Sequence, residues 1–157
     1  MGLIFAMDAR DSSTLETQGP GQAFTNQGKN HISPSERGKV TFNSNPPTSG
    51  PHVPVSVKEN QQTLSNDQIL HALELGNIVI LYDQTKPPEA LRNLANQVAG
   101  PFSPTLVQAG QAIILGQSEG TQGIVALAWQ HLLRVENPSD PALKQFVEYW
   151  LGTPNQD

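Results

Sequence analysis

The chain has 157 residues, 14 acidic and 9 basic side chains for a net charge of −5, a hydrophobic share of 36% and no cysteine. This length suits one domain with a real core, and the absence of cysteine excludes disulfides, thiolate ligands and a cysteine nucleophile. The basic residues are scattered, whereas a phosphate-tracking surface or a polybasic anchor needs them clustered, so neither nucleic acid nor an anionic membrane surface is expected as a partner.

The apolar run at residues 1–7 is far short of the about 20 residues that span a bilayer. It also lacks the basic flank of a signal peptide, and Ala6 fails the myristoylation pattern. The chain is expected to be soluble, either as it stands or as a form from which an export segment has been removed. Residues 8–38 are polar and glycine-rich, which predicts a long extended arm over residues 1–38 that packs on a protein partner or a second copy. A single domain over residues 39–153 and a short tail at residues 154–157 complete the expected organisation.

A short strand is expected at residues 39–42. The loop NSNPPTSGPH follows at residues 43–52, with Pro46, Pro47, Pro51 and then Pro54. Each proline fixes its own φ and drives the preceding residue towards extended geometry, so the loop is stiff without much packing. The first helix is predicted at residues 66–75: Ser65 and Gln68 make a capping box, and Gly76 supplies a left-handed stop. The unbroken apolar run at residues 77–82 reads as a central strand buried on both faces.

A second helix is predicted from Pro87–Pro88 to Gly100, with Leu91, Leu94, Ala95 and Val98 on one face. Two more core strands are expected at residues 112–115 and 124–129, joined as a hairpin by residues 116–123, with residues 132–135 continuing the second past a bulge. The last helix begins with Asp140 as cap and Pro141 in its first turn, and buries Leu143, Phe146, Val147, Trp150 and Leu151. The predicted fold is α+β: a small mixed sheet with about three helices packed on it.

Four histidines occur, at 31, 52, 71 and 131. Imidazole is a good ligand for zinc or copper, but these spacings match no compact motif and by themselves favour four unrelated side chains. His71 and Glu74 share a helix face, as two ligands or as a base and its orienter. His131, beside Trp129 in a strand, reads as structural. No nucleophile, base and oxyanion hole assemble, and no phosphate loop is present.

The segments Gly28–Ile32, Phe42–His52, His71–Ile80 and Ala126–Trp129 together resemble the domain-of-unknown-function 3105 family of mostly exported bacterial domains. The resemblance implies a position outside the cytoplasm and a metal cluster, copper or zinc, built on His31, His52, His71 and a second helix histidine. Members carry His-x-x-Glu-His-Gly on the first helix, but here Leu75 stands in place of that second histidine. The expected set is therefore His31, His52, His71 and Glu74. Three functions follow, in order: a non-enzymatic metal-binding domain; a structural or interaction subunit of an oligomer, filament or membrane-associated complex that has lost metal binding; and a metal hydrolase or oxidoreductase with Glu74 as its acid/base group.

Overall fold

The computed structural model describes residues 19–153. The apolar start, the first part of the expected arm and the tail at residues 154–157 lie outside the described residues.

The centre is a six-stranded mixed sheet in the order β1-β6-β5-β3-β4-β2. In chain order the strands are β1 (Gln22–Ala23), β2 (Gln62–Thr63), β3 (Ile78–Tyr82), β4 (Ile113–Gln117), β5 (Ile124–Ala128) and β6 (His131–Val135). Among the described residues four α-helices accompany them: α1 (Asn66–Leu75), α2 (Glu89–Ala99), α3 (Pro104–Gln108) and α4 (Pro141–Trp150), with a 3-10 helix at Pro34–Lys39. About three were expected, and the short α3 is the addition. Among the described residues, no helix is long and apolar enough to cross a membrane.

β3 is paired with β4 on one side and β5 on the other, and every one of its residues is buried. Alternate side chains point to opposite faces of a strand. Val79 and Leu81 face a cluster with Ile69, Leu70 and Leu73 of α1, Val107 of α3, and Trp129. Ile78, Ile80 and Tyr82 face Leu91 and Ala95 of α2 and Leu143, Phe146 and Val147 of α4. The strand therefore needs apolar residues without interruption, as the run at residues 77–82 predicts.

α1 forms over the expected span. The Ser65 hydroxyl accepts from the Gln68 N–H at 3.1 Å, and the Gln68 side chain accepts from the Ser65 N–H at 3.1 Å. Gly76 ends the helix at φ 112°, in the left-handed region that glycine enters without a Cβ penalty.

Three strand expectations are corrected. Residues 39–42 form no strand: Pro34 starts a 3-10 helix that runs through Lys39, and Glu36 braces its start by accepting from the Ser33 N–H at 3.0 Å. Residues 116–123 close no hairpin, because β4 pairs parallel to β3 while β5 pairs antiparallel on its other side. The connection therefore passes from one flank of β3 to the other. The hairpin lies one step later: residues 131–135 are a separate strand, β6, antiparallel to β5, with Gln130 at φ 70° in the turn.

Candidate metal centre

The stiff loop at residues 43–52 is fixed by buried backbone contacts before its histidine is reached. The Gln130 N–H donates to the Thr48 carbonyl at 3.0 Å, so the β5–β6 turn holds the loop's middle. The Gln27 N–H donates to the Ser49 hydroxyl at 2.9 Å, and Thr48 and Ser49 are fully buried. Beyond them the loop runs parallel to residues 28–32. Gly50 N–H donates to the Gly28 carbonyl, His52 N–H to the Asn30 carbonyl and Ile32 N–H to the His52 carbonyl, at 2.8, 3.0 and 3.0 Å. This short ladder makes His31 and His52 neighbours on adjacent extended segments.

His52 is oriented as well as placed. Its Nδ1 lies 2.9 Å from the Gly50 carbonyl oxygen. A carbonyl only accepts, so Nδ1 carries the proton and Nε2 is directed to the other side of the ring. Gly50 reaches this geometry at φ 127°, and a Cβ there would lie 2.9 Å from the Phe42 ring. Glycine is required on both counts.

The other two side chains come from α1. His71 and Glu74 are one turn apart, and His71 Nδ1 lies 3.2 Å from Glu74 Oε1. The same oxygen lies 2.7 Å from His52 Nε2 and 2.9 Å from His31 Nε2. Three imidazoles thus meet one carboxylate oxygen. The ligand atoms of His31, His52, His71 and Glu74 all lie within 4.8 Å of one another. Two ligands about 2.0–2.1 Å from one zinc ion at tetrahedral angles lie about 3.3 Å apart. The nitrogen–oxygen spacings of 2.7–3.2 Å are thus close to a zinc-ligand shell, and the rest need only contract.

Burial is graded across the cluster. The His52 side chain is 0% exposed, Glu74 13%, His71 17% and His31 47%. One side of the site is sealed, and the His31 side faces solvent. Burial pushes the Glu74 carboxyl up, but hydrogen bonds from His31 and His52 and their charge outweigh it, holding the carboxyl below its usual range.

Sequence spacing favoured four unrelated histidines, and the structure instead gathers three of them with Glu74. Leu75 is partly buried at the end of α1, and the four-residue cluster forms without a histidine there. His131 stands apart: it donates from Nδ1 to the Trp129 carbonyl at 3.0 Å and stacks on Trp150 with ring centroids 3.8 Å apart. Spacing missed the ladder between residues 28–32 and 50–52, although Gly28 and Gly50 were its visible signs. It also missed Asp67, whose carboxylate accepts from the Val53 N–H at 2.9 Å and from Arg37 Nε at 2.7 Å.

The fold and this cluster define a mixed α/β domain with a histidine–carboxylate group of metal-site composition. The chain belongs to the family described as protein of unknown function (DUF3105), whose model matches residues 33–157. His52, His71 and Glu74 fall inside the matched span, and His31 lies two residues before it. No curated protein and no solved structure matches the chain.

Proposed function

We propose that this domain binds one divalent transition-metal ion, copper(II) or zinc, through His31, His52, His71 and Glu74, and that it works as a binding module outside the cytoplasm. The convergence of three imidazole nitrogens on Glu74 Oε1 carries this reading. The donor set fits the ion. With Nδ1 turned to the Gly50 carbonyl, His52 Nε2 is the ring atom directed at the Glu74 carboxylate oxygen 2.7 Å away. A proton or a metal ion can bridge that nitrogen and that oxygen. The Gly50 carbonyl behind His52 is the kind of outer partner that fixes a ligating histidine's tautomer.

Imidazole and carboxylate suit zinc and copper(II), while copper(I) prefers sulfur. The chain has no cysteine, and its 2 methionines stand at positions 1 and 7. A metal ion held by these residues would supply Lewis acidity, and the half-exposed His31 is the one of the four nearest to solvent. Glu74, the acid/base group an enzyme would need, is engaged by all three imidazoles, which favours binding over catalysis. The position outside the cytoplasm rests on the family resemblance and is tested by fractionating cells that make the protein.

The decisive measurement is the metal content of the purified protein beside His52→Ala. One equivalent of zinc or copper in the wild type, lost in the variant, is expected. Metal-free protein that takes up neither ion on addition overturns the reading. The competing proposal is a structural subunit that self-associates through its N-terminal arm. It is supported by the polar composition of that segment and predicts that removing residues 1–27 lowers the mass in solution.

A further inference from the structure

Among the described residues, Glu74 is one of two carboxylates that tie α1 to the stretch at residues 31–53. Asp67 is the other. It sits in the first turn of α1, one turn before His71, and is 7% exposed. Its Oδ1 accepts from the N–H of Val53, the residue after His52, at 2.9 Å. Its Oδ2 accepts from Arg37 Nε at 2.7 Å, and Arg37 lies in the 3-10 helix that follows the His31 segment. The ladder fixes His31 relative to His52, and α1 fixes His71 relative to Glu74. These are two separate halves, each carrying two of the four clustered side chains. Asp67 bonds from the helix half to the loop half next to His52.

We propose that Asp67 is the positioning residue of the metal centre: its bidentate bridge sets the spacing between the pair His31–His52 and the pair His71–Glu74. The proposal rests on the metal reading above. A bare helix-dipole role needs only a negative charge in the first turn. It does not need one oxygen on the residue after His52 and the other on the helix that follows the His31 segment. Bonds to an ionised carboxylate are short, strong and directional, which suits a spacer. Asparagine keeps the size of the side chain but offers one acceptor and one donor. Its amide nitrogen would face either the Val53 N–H or Arg37 Nε, and one strut is lost.

The test uses the full chain and cobalt(II), whose visible absorption reports ligand geometry, with zinc competition for affinity. Asp67→Asn is compared with the wild type and with Leu91→Ala, a destabilising change on the far face of the sheet. Asp67→Asn is expected to weaken binding by about 10–100-fold, the usual effect of losing a partner that orients ligands, and to alter the cobalt spectrum. Leu91→Ala is expected to leave spectrum and affinity as in the wild type. An unchanged spectrum and affinity in Asp67→Asn overturns the proposal, as does an equal loss in Leu91→Ala. Should Asp67→Asn fail to fold, Arg37→Gln removes the exposed strut alone. A few-fold weaker site supports the proposal, and an unchanged one overturns it. A wild type that binds neither cobalt nor zinc overturns the metal reading itself, a result distinct from all of these.

Discussion

The two faces of the sheet are covered by different means. On one, α2 and α4 lay apolar stripes over Ile78, Ile80 and Tyr82, and the cover is set by side-chain volume. On the other, α1 and α3 share the space with Phe24, Phe42 and the polar stretch at residues 24–53, whose course is set by directional hydrogen bonds. The candidate metal centre lies on the second side, between α1 and that stretch. Apolar packing tolerates repacking, whereas hydrogen bonds hold fixed distances. A site that requires four atoms at one point is better served by the hydrogen-bonded side.

The largest expected effect breaks the first face alone. Phe146 is 0% exposed, and Phe146→Ala should cost about 3–5 kcal/mol of stability by loss of buried area and the cavity left behind. Metal bound per folded molecule should stay unchanged, as denaturant titration and metal analysis will show. A matching loss of metal would mean that the two faces are not separable.

Gly50→Ala acts on the second face. Its φ of 127° and the Phe42 ring 2.9 Å from the added methyl predict a loss of about 1–3 kcal/mol. Here metal affinity should fall too, because the Gly50 carbonyl orients His52. A variant that loses stability and keeps full affinity would show that this carbonyl plays no part in the site.

The smallest effect concerns Glu36, whose carboxyl is held below its usual range by hydrogen bonds from the Ser33 backbone and hydroxyl. A depressed folded value means the contribution is present above the unfolded value, about 4.3, and is lost as pH falls through the folded one. The melting temperature of Glu36→Gln should therefore lie slightly below wild type near neutral pH and meet it in acid. A constant gap at all pH values would rule this out.

The volume-determined parts of the molecule were legible in the sequence. β3 and α1 follow from an unbroken apolar run and a capping box, both of which are local signals. Pairing was not legible: residues 112–115 and 124–129 look like hairpin partners, and only the placement of β3 between them shows otherwise. β1 and β2, with 2 residues each, are too short for any periodicity. α3 has Ser103 as cap and Pro104 in its first turn, but 5 residues give no stripe to read. The cluster was legible only through resemblance, since nothing local in the chain states that residues 31, 52 and 71 share one point.

That shared point has a consequence for the chain as a polymer. Glu74 Oε1 joins partners 43 and 22 residues away in sequence, His31 and His52. Cross-links across stretches of this length are what disulfides supply in small exported domains. There a closed loop of about 15 residues is worth about 3 kcal/mol in the chain-entropy account. This chain has no cysteine with which to make one. A metal ion on the same four residues would knot three segments together reversibly, under the control of metal supply instead of oxidation.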